Sequence, residues 1–180
     1  MLARMFGSHL FSWLLIAGTS ISPATTLKVG DKAPDFTLPY ATKDTIIQAL
    51  SLDKVVGKNN VILAFYPADW SGGCTKEMCT MRDNFSDLSK LDATVFGISG
   101  DYVYSHHEWA RYHNLQFGLF ADHNHEIAKE YNSYNPSSGF NIRTIYVVDR
   151  NGRIAYIDLA YQAGSSESFD RLKAALTKLK

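Results

Sequence analysis

Val61-Ile62-Leu63-Ala64-Phe65-Tyr66-Pro67-Ala68-Asp69-Trp70-Ser71-Gly72-Gly73-Cys74 is the stretch on which the fold turns. Val61 to Tyr66 is an unbroken apolar run bounded by Asn59-Asn60 and Pro67, which is what a strand buried on both faces requires. Pro67 ends it, because proline has no N–H to give a neighbouring strand. Ala68 to Gly73 is loop by composition, and from Cys74 onward Met78, Met81, Phe85 and Leu88 recur at helical spacing. The stretch reads strand, loop, helix, with Cys74 at the helix start.

The same alternation continues in both directions. Downstream, Ala93 to Ser99 reads as a second buried strand and Tyr104 to Asn114 as a helix; the short apolar Gly118 to Ala121 and a helical piece near His125 to Tyr131 follow. Arg143 to Asp149 and Arg153 to Asp158 flank Arg150-Asn151-Gly152, whose Asn-Gly dipeptide predicts a hairpin of two antiparallel strands. Ser166 to Leu179 places Phe169, Leu172, Leu176 and Leu179 on one helical face. Upstream, Val29 to Thr37 is an extended opening segment with a turn. Buried strands alternating with helices, plus a late hairpin, predict an α/β fold with a mixed central β-sheet flanked by helices.

At 46% hydrophobic and 13% aromatic residues the chain can bury a genuine core, and its 180 residues give room for one domain. Eighteen basic residues balance eighteen acidic ones, so no net positive charge is available to hold nucleic acid or an anionic membrane surface. The start of the chain differs from the rest. Before residue 25, Arg4 is the only formally charged side chain, and Leu10 to Gly18 is apolar but for Ser12. That is the layout of a secretory signal, with Ser22-Pro23-Ala24 supplying small residues for cleavage. The apolar run is about half of the roughly 20 residues a membrane-crossing helix needs, which favours a cleaved signal over a permanent span. Residues 1–24 are therefore read as a signal peptide or N-terminal anchor and 25–180 as the folded domain. The expected location is periplasmic, lumenal or membrane-anchored, with the cytoplasm as alternative.

Cys74 and Cys79 are the two cysteines, with four residues between them. A bridge across so short a loop restrains the unfolded chain little, so structural stapling is a weak explanation and redox chemistry a better one. Only a thiolate is a good nucleophile, and a helix amino terminus favours negative charge through its unpaired amides and dipole. Ser71-Gly72-Gly73 allows the backbone to approach the sulfur of Cys74 closely. In an ideal helix the Cα atoms of positions i and i+5 are roughly 8–9 Å apart, beyond the usual disulfide limit of about 7 Å. A bond between the two cysteines therefore requires the first helical turns to unwind.

Phe65-Tyr66-Pro67-Ala68-Asp69-Trp70-Ser71-Gly72-Gly73-Cys74-Thr75-Lys76-Glu77 resembles the active-site segment of the peroxiredoxins. The family pattern Pro-x-x-x-Thr/Ser-x-x-Cys is met by Pro67, Ser71 and Cys74. Cys79, five positions after Cys74, is similar to the resolving cysteine of the bacterioferritin-comigratory, or Q-type, subgroup. The resemblance covers nearly all of residues 27–180, including Val29-Gly30-Asp31-Lys32-Ala33-Pro34-Asp35-Phe36 and Arg143-Thr144. It implies a thioredoxin-like fold and reduction of hydrogen peroxide or organic hydroperoxides, with a thioredoxin-like reductant, no cofactor and no metal. It also implies roles: Cys74 as the peroxidatic thiolate, Cys79 as the resolving thiol, Arg143 as the group that stabilises the thiolate and orients the peroxide, Ser71 as a hydrogen-bonding partner of the reacting oxygen, and Pro67 as a shield against water. A monomer or weak dimer is expected. Serine stands where threonine is commoner, and Gly72-Gly73 stands where many relatives have a proline.

Two rivals share the fold. A thioredoxin-like thiol-disulfide oxidoreductase would want Cys-x2-Cys, and a copper-handling protein Cys-x3-Cys; the spacing here is Cys-x4-Cys. The histidines from His106 to His125 are expected as solvated side chains rather than metal ligands. Trp70, Trp109 and the tyrosines are expected to pack, Arg82-Asp83 to form a helix-surface pair, and Glu77 to cap the helix start or support the loop without a catalytic role.

Overall fold

The computed structural model describes residues 26–180, so the leader expected over 1–24 lies outside the described residues. Nine strands occur among them: β1 (Thr37–Ala41), β2 (Ile46–Ser51), β3 (Asn60–Phe65), β4 (Ala93–Ser99), β5 (Gly118–Ala121), β6 (Tyr134–Asn135), β7 (Phe140–Asn141), β8 (Thr144–Val148) and β9 (Ile154–Asp158). The helices are α1 (Gly72–Asp83), α2 (Phe85–Lys90), α3 (Val103–Tyr112), α4 (Glu126–Glu130) and α5 (Ser166–Thr177). Seven strands form one sheet in the order β2-β1-β5-β4-β3-β8-β9, and β6 pairs with β7 in a small ribbon. The β3–β4 and β4–β5 pairs are parallel and the remaining pairs of the large sheet antiparallel, giving the mixed sheet expected from the sequence.

The apolar run is buried throughout, and its residues alternate between two cores. Ile62 and Ala64 join Met78, Met81, Trp109, Leu172 and Leu176 on one face; Val61, Leu63 and Phe65 join Phe36, Ile98, Phe120, Tyr131 and Tyr146 on the other. Each large apolar side chain so buried contributes about 1.5–3 kcal/mol, enough to fix the register of the central strand. The expected hairpin forms between β8 and β9 around Arg150-Asn151-Gly152.

Two local features depart from the periodicity. The helix read from Cys74 through Leu88 breaks at Asn84, whose side-chain amide donates to Thr80 O at 2.9 Å and whose backbone leaves helical geometry at ψ 14°. Asparagine readily competes with the helical ladder in this way. Leu88 nevertheless lies in the same core as Met78 and Met81, so the apolar spacing records a shared face rather than one continuous helix. The β1–β2 hairpin has no clean alternation. Pro39 interrupts β1 at a register shift between Leu38 and Tyr40, and Thr42 Oγ1 closes the turn by accepting from the amides of Asp44 and Thr45.

The helix that carries Cys74 lies against the sheet where β4 has no side chain. A methyl group on Gly97 would stand 2.6 Å from Leu119, 3.0 Å from Tyr66 and 3.4 Å from Met78 of α1. Gly97→Ala is expected to destabilise the fold by about 1–3 kcal/mol through overpacking. Urea unfolding measures this; Gly72→Ala, where an added methyl meets nothing within 4 Å, should leave stability unchanged or slightly raised.

Candidate active site

Strand β3 delivers the chain into the loop 66–71, and a buried polar cluster sets the shape of that loop. Asp69 is its centre. Its carboxylate accepts from Tyr66 Oη at 2.8 Å and from Ser105 Oγ at 2.7 Å, and His106 Nδ1 lies 2.9 Å away. The Asp69 amide donates to Asp101 Oδ2 at 2.8 Å, and Asp101 in turn accepts from Ser99 Oγ at the end of β4. Burial, followed by the Asp69 charge, holds the Tyr66 phenol well above its ordinary value, so it remains a neutral donor. Trp70 takes a left-handed φ of 59°, a strained conformation for a bulky residue, and is pinned by Nε1 donating to Ser105 Oγ at 3.3 Å. Gly72-Gly73 therefore follows a loop tied to both β4 and α3.

Ser71 precedes α1, which makes Cys74 its third residue, in the first turn, whose backbone amides have no partner within the helix. Cys74 is 1% exposed and belongs to the core beneath α1. Arg143 reaches it from across the sheet. The β3–β8 register pairs Phe65 with Thr144, so the residue before Thr144 stands beside the start of the loop. Arg143 Nη2 donates to Cys74 Sγ at 3.5 Å, and Nη1 donates to Glu77 Oε2. A methyl group on Gly73 would come within 3.3 Å of that guanidinium, so the second glycine makes room for it. Burial opposes the charge on Arg143, but Glu77 and Cys74 more than offset it and hold the guanidinium above the usual arginine value.

Glu77 is fully buried, its Oε1 has no hydrogen-bond partner among the described residues, and burial pushes its carboxyl up to about 7 against the opposite pull of Arg143. It lies within the site beside Arg143, not at the helix cap. The sequence gives one sign of this: Glu77 is one position before Met78 and three after Cys74, both on the buried face of α1. The Ser71 hydroxyl donates to Ala68 O at 3.1 Å, which leaves its oxygen able only to accept. Pro67 is half-buried at the loop entrance. Cys79 lies further along α1, partly exposed, with His113 Nδ1 3.8 Å from its sulfur; both cysteines are free thiols.

Among the residues expected to be bland, several differ. His106 is fully buried rather than solvated, because Asp69 and the Phe120 carbonyl at 3.1 Å satisfy its two ring nitrogens. Trp109 packs in the core as expected, whereas Trp70 is 54% exposed. Arg82 does pair with Asp83 at 2.8 Å, and it also donates to His113 O, linking α1 to the end of α3. Among the described residues no group of three or more His, Cys, Asp or Glu side chains is gathered as a metal site, and no helix is long and apolar enough to cross a membrane.

The chain is similar to known proteins in sequence and fold. The AhpC/TSA family model matches residues 29–157. A putative chloroplastic peroxiredoxin Q of Oryza sativa subsp. indica is 40% identical over 131 residues, covering 71% of this chain but only 57% of the rice protein. A putative peroxiredoxin bcp of Coxiella burnetii is 38% identical over 138 residues, covering 73% of this chain and 88% of the bacterial one. The crystal structure of peroxidoxin BcpB from Mycobacterium tuberculosis superposes with a TM-score of 0.75 at 25% identity, over 86% of this chain and 99% of that one. The strand order, the loop and the sequence matches lead to one assignment: the chain belongs to the AhpC/TSA family, among the peroxiredoxins of the Q and Bcp kind.

Proposed function

We propose that the chain is a thiol-dependent peroxidase that reduces hydrogen peroxide and organic hydroperoxides through Cys74. The observation that carries this reading is the Cys74 sulfur, buried in the first turn of α1 with Arg143 Nη2 at 3.5 Å. The thiolate attacks one peroxide oxygen. An S–O bond forms, the O–O bond breaks, and the departing oxygen takes a proton to become water or an alcohol, leaving Cys74 as a sulfenic acid. Arg143 donates to the charge that develops, Ser71 accepts from the peroxide hydroxyl, and Pro67 keeps bulk water from the sulfur. Burial of Cys74 favours so small a substrate over a protein disulfide, which weighs against a thiol-disulfide exchanger.

Cys79 completes the cycle in this reading by forming an intrachain disulfide with Cys74 and releasing water. The two cysteines lie on one helix five positions apart, so the first turns of α1 open for the bond to form. A thioredoxin-like protein then restores the dithiol. A leader over 1–24 and a folded domain over 25–180 belong to the same proposal. In this reading a monomer or weak dimer works outside the cytosol, and soluble cytosolic protein whose N-terminal sequence begins at Met1 would argue for the cytoplasmic alternative.

Stopped-flow peroxide reduction with mass spectrometry tests the assignment of roles. Cys74→Ser should abolish peroxide consumption, while Cys79→Ser should keep one fast turnover and stop cycling; equal loss of that turnover in both overturns it. Arg143→Ala should slow peroxide attack by about 10²-fold, the usual cost of one donor to a developing anion. Glu77 yields a pH dependence. Its carboxyl holds its proton up to about pH 7 in the fold but would release it near 4.5 unfolded, so it contributes stability below pH 4.5 that is lost as pH rises to 7. Glu77→Gln should flatten the slope of unfolding free energy across pH 4.5–7, and an unchanged slope would remove Glu77 as its source.

A further inference from the structure

Forming the disulfide proposed above requires a second ionised sulfur, and an ordinary thiol is mostly protonated at neutral pH. The guanidinium of Arg143 can only donate and is turned to Cys74 and Glu77, so the proton of Cys79 needs an acceptor elsewhere. His113 occupies that place. It ends α3, 34 residues from Cys79 in sequence, and its Nδ1 lies 3.8 Å from Cys79 Sγ. The contact is within reach for sulfur, and catalytic hydrogen bonds in resting enzymes are commonly long.

The surroundings hold the ring and leave it suited to accept a proton. Arg82 Nη1 donates to His113 O at 2.8 Å, fastening the end of α3 to α1 beyond Cys79 and away from the turns that must open. Trp109 meets the ring edge-on at 5.7 Å and Tyr112 at 4.9 Å, both from its own helix, while Trp70 approaches from the loop at 6.3 Å. The charge acting on the ring is that of Arg82, itself paired with Asp83. Burial first, and Arg82 second, hold His113 below the usual histidine value, so the imidazole is neutral and free to take a proton at pH 7.

We infer that His113 is the general base of the resolving step, taking the proton of Cys79 as its sulfur attacks the Cys74 sulfenic acid. This rests on the peroxidase reading, which supplies that acid. Nδ1 removes the Cys79 proton; the Cys79 sulfur forms the S–S bond; the S–O bond of Cys74 breaks, and its oxygen leaves as hydroxide. The proton taken by His113 returns to that hydroxide, giving water. The Cys79 lone pair becomes the S–S bond while the S–O pair leaves with the oxygen, so the two sulfurs reach the same oxidation state and no further oxidant or reductant enters.

Stopped-flow kinetics after a single equivalent of peroxide separates the two phases, and the first of them, oxidation of Cys74, reports folding and peroxide chemistry. In His113→Asn the second phase, disulfide formation, should slow by about tenfold or more at pH 7. It should recover toward the unsubstituted rate above about pH 9, where ordinary thiols ionise unaided. A second phase unchanged at pH 7 overturns the inference, and so does a defect that persists at high pH, since misplacement of Cys79 would not be cured by alkali. Absence of the first phase in the unsubstituted chain instead overturns the peroxidase reading and this inference with it. If His113→Asn loses the first phase, alkylation of Cys79 by iodoacetamide in the Cys74→Ser chain decides. Its rate at pH 7 should fall when His113→Gln is added, and equal rates overturn the assignment.

Discussion

The guanidinium of Arg143 joins two groups that would be costly to bury without it, the sulfur of Cys74 and the carboxyl of Glu77. Whenever either group is charged, the guanidinium is its counter-charge, and without Arg143 it would be left with neither water nor an ion partner. Much of the architecture serves this contact. The β3–β8 register carries Arg143 to the mouth of the loop, Gly73 leaves room for the guanidinium, and Gly97 lets α1 settle onto the sheet beneath it.

Around that contact lie a fixed side and the helix that the proposed disulfide requires to open. The fixed side is the Asp69 cluster, which binds Tyr66, Ser105 and His106 and keeps the strained Trp70 in place. It holds the loop although Gly72-Gly73 supplies no stiffness of its own. Helix α1 is short and breaks at Asn84, and Arg82 fastens its far end to α3. Unwinding of the first turns thus need not spread beyond the helix, which suits the disulfide proposed between Cys74 and Cys79.

Much of this was legible in the residue order. The run from Val61 to Tyr66 fits a doubly buried strand, and the cysteine after a glycine pair marks a helix start. The hairpin around Asn151-Gly152 was equally plain. Other features carry no local signal. The β1–β2 hairpin lacks alternation because it forms an edge with Pro39 inside it. The buried state of His106 depends on Asp69, 37 positions away, and the meeting of His113 with Cys79 depends on how α3 crosses α1. Glu77 stands three positions after the helix start expected at Cys74, a capping position, but α1 begins earlier, at Gly72, which puts Glu77 in the second turn, and only the fold brings Arg143 to it.

The central claim is that one sulfur, that of Cys74, receives the oxygen of the peroxide. Trapping the sulfenic acid with dimedone after one equivalent of hydrogen peroxide tests it directly, with the modified residue located by tandem mass spectrometry in the Cys79→Ser chain. The account predicts a single adduct on Cys74, formed in proportion to the peroxide consumed. Peroxide consumed with no adduct on Cys74, or an adduct on Cys79 in the Cys74→Ser chain, would contradict it.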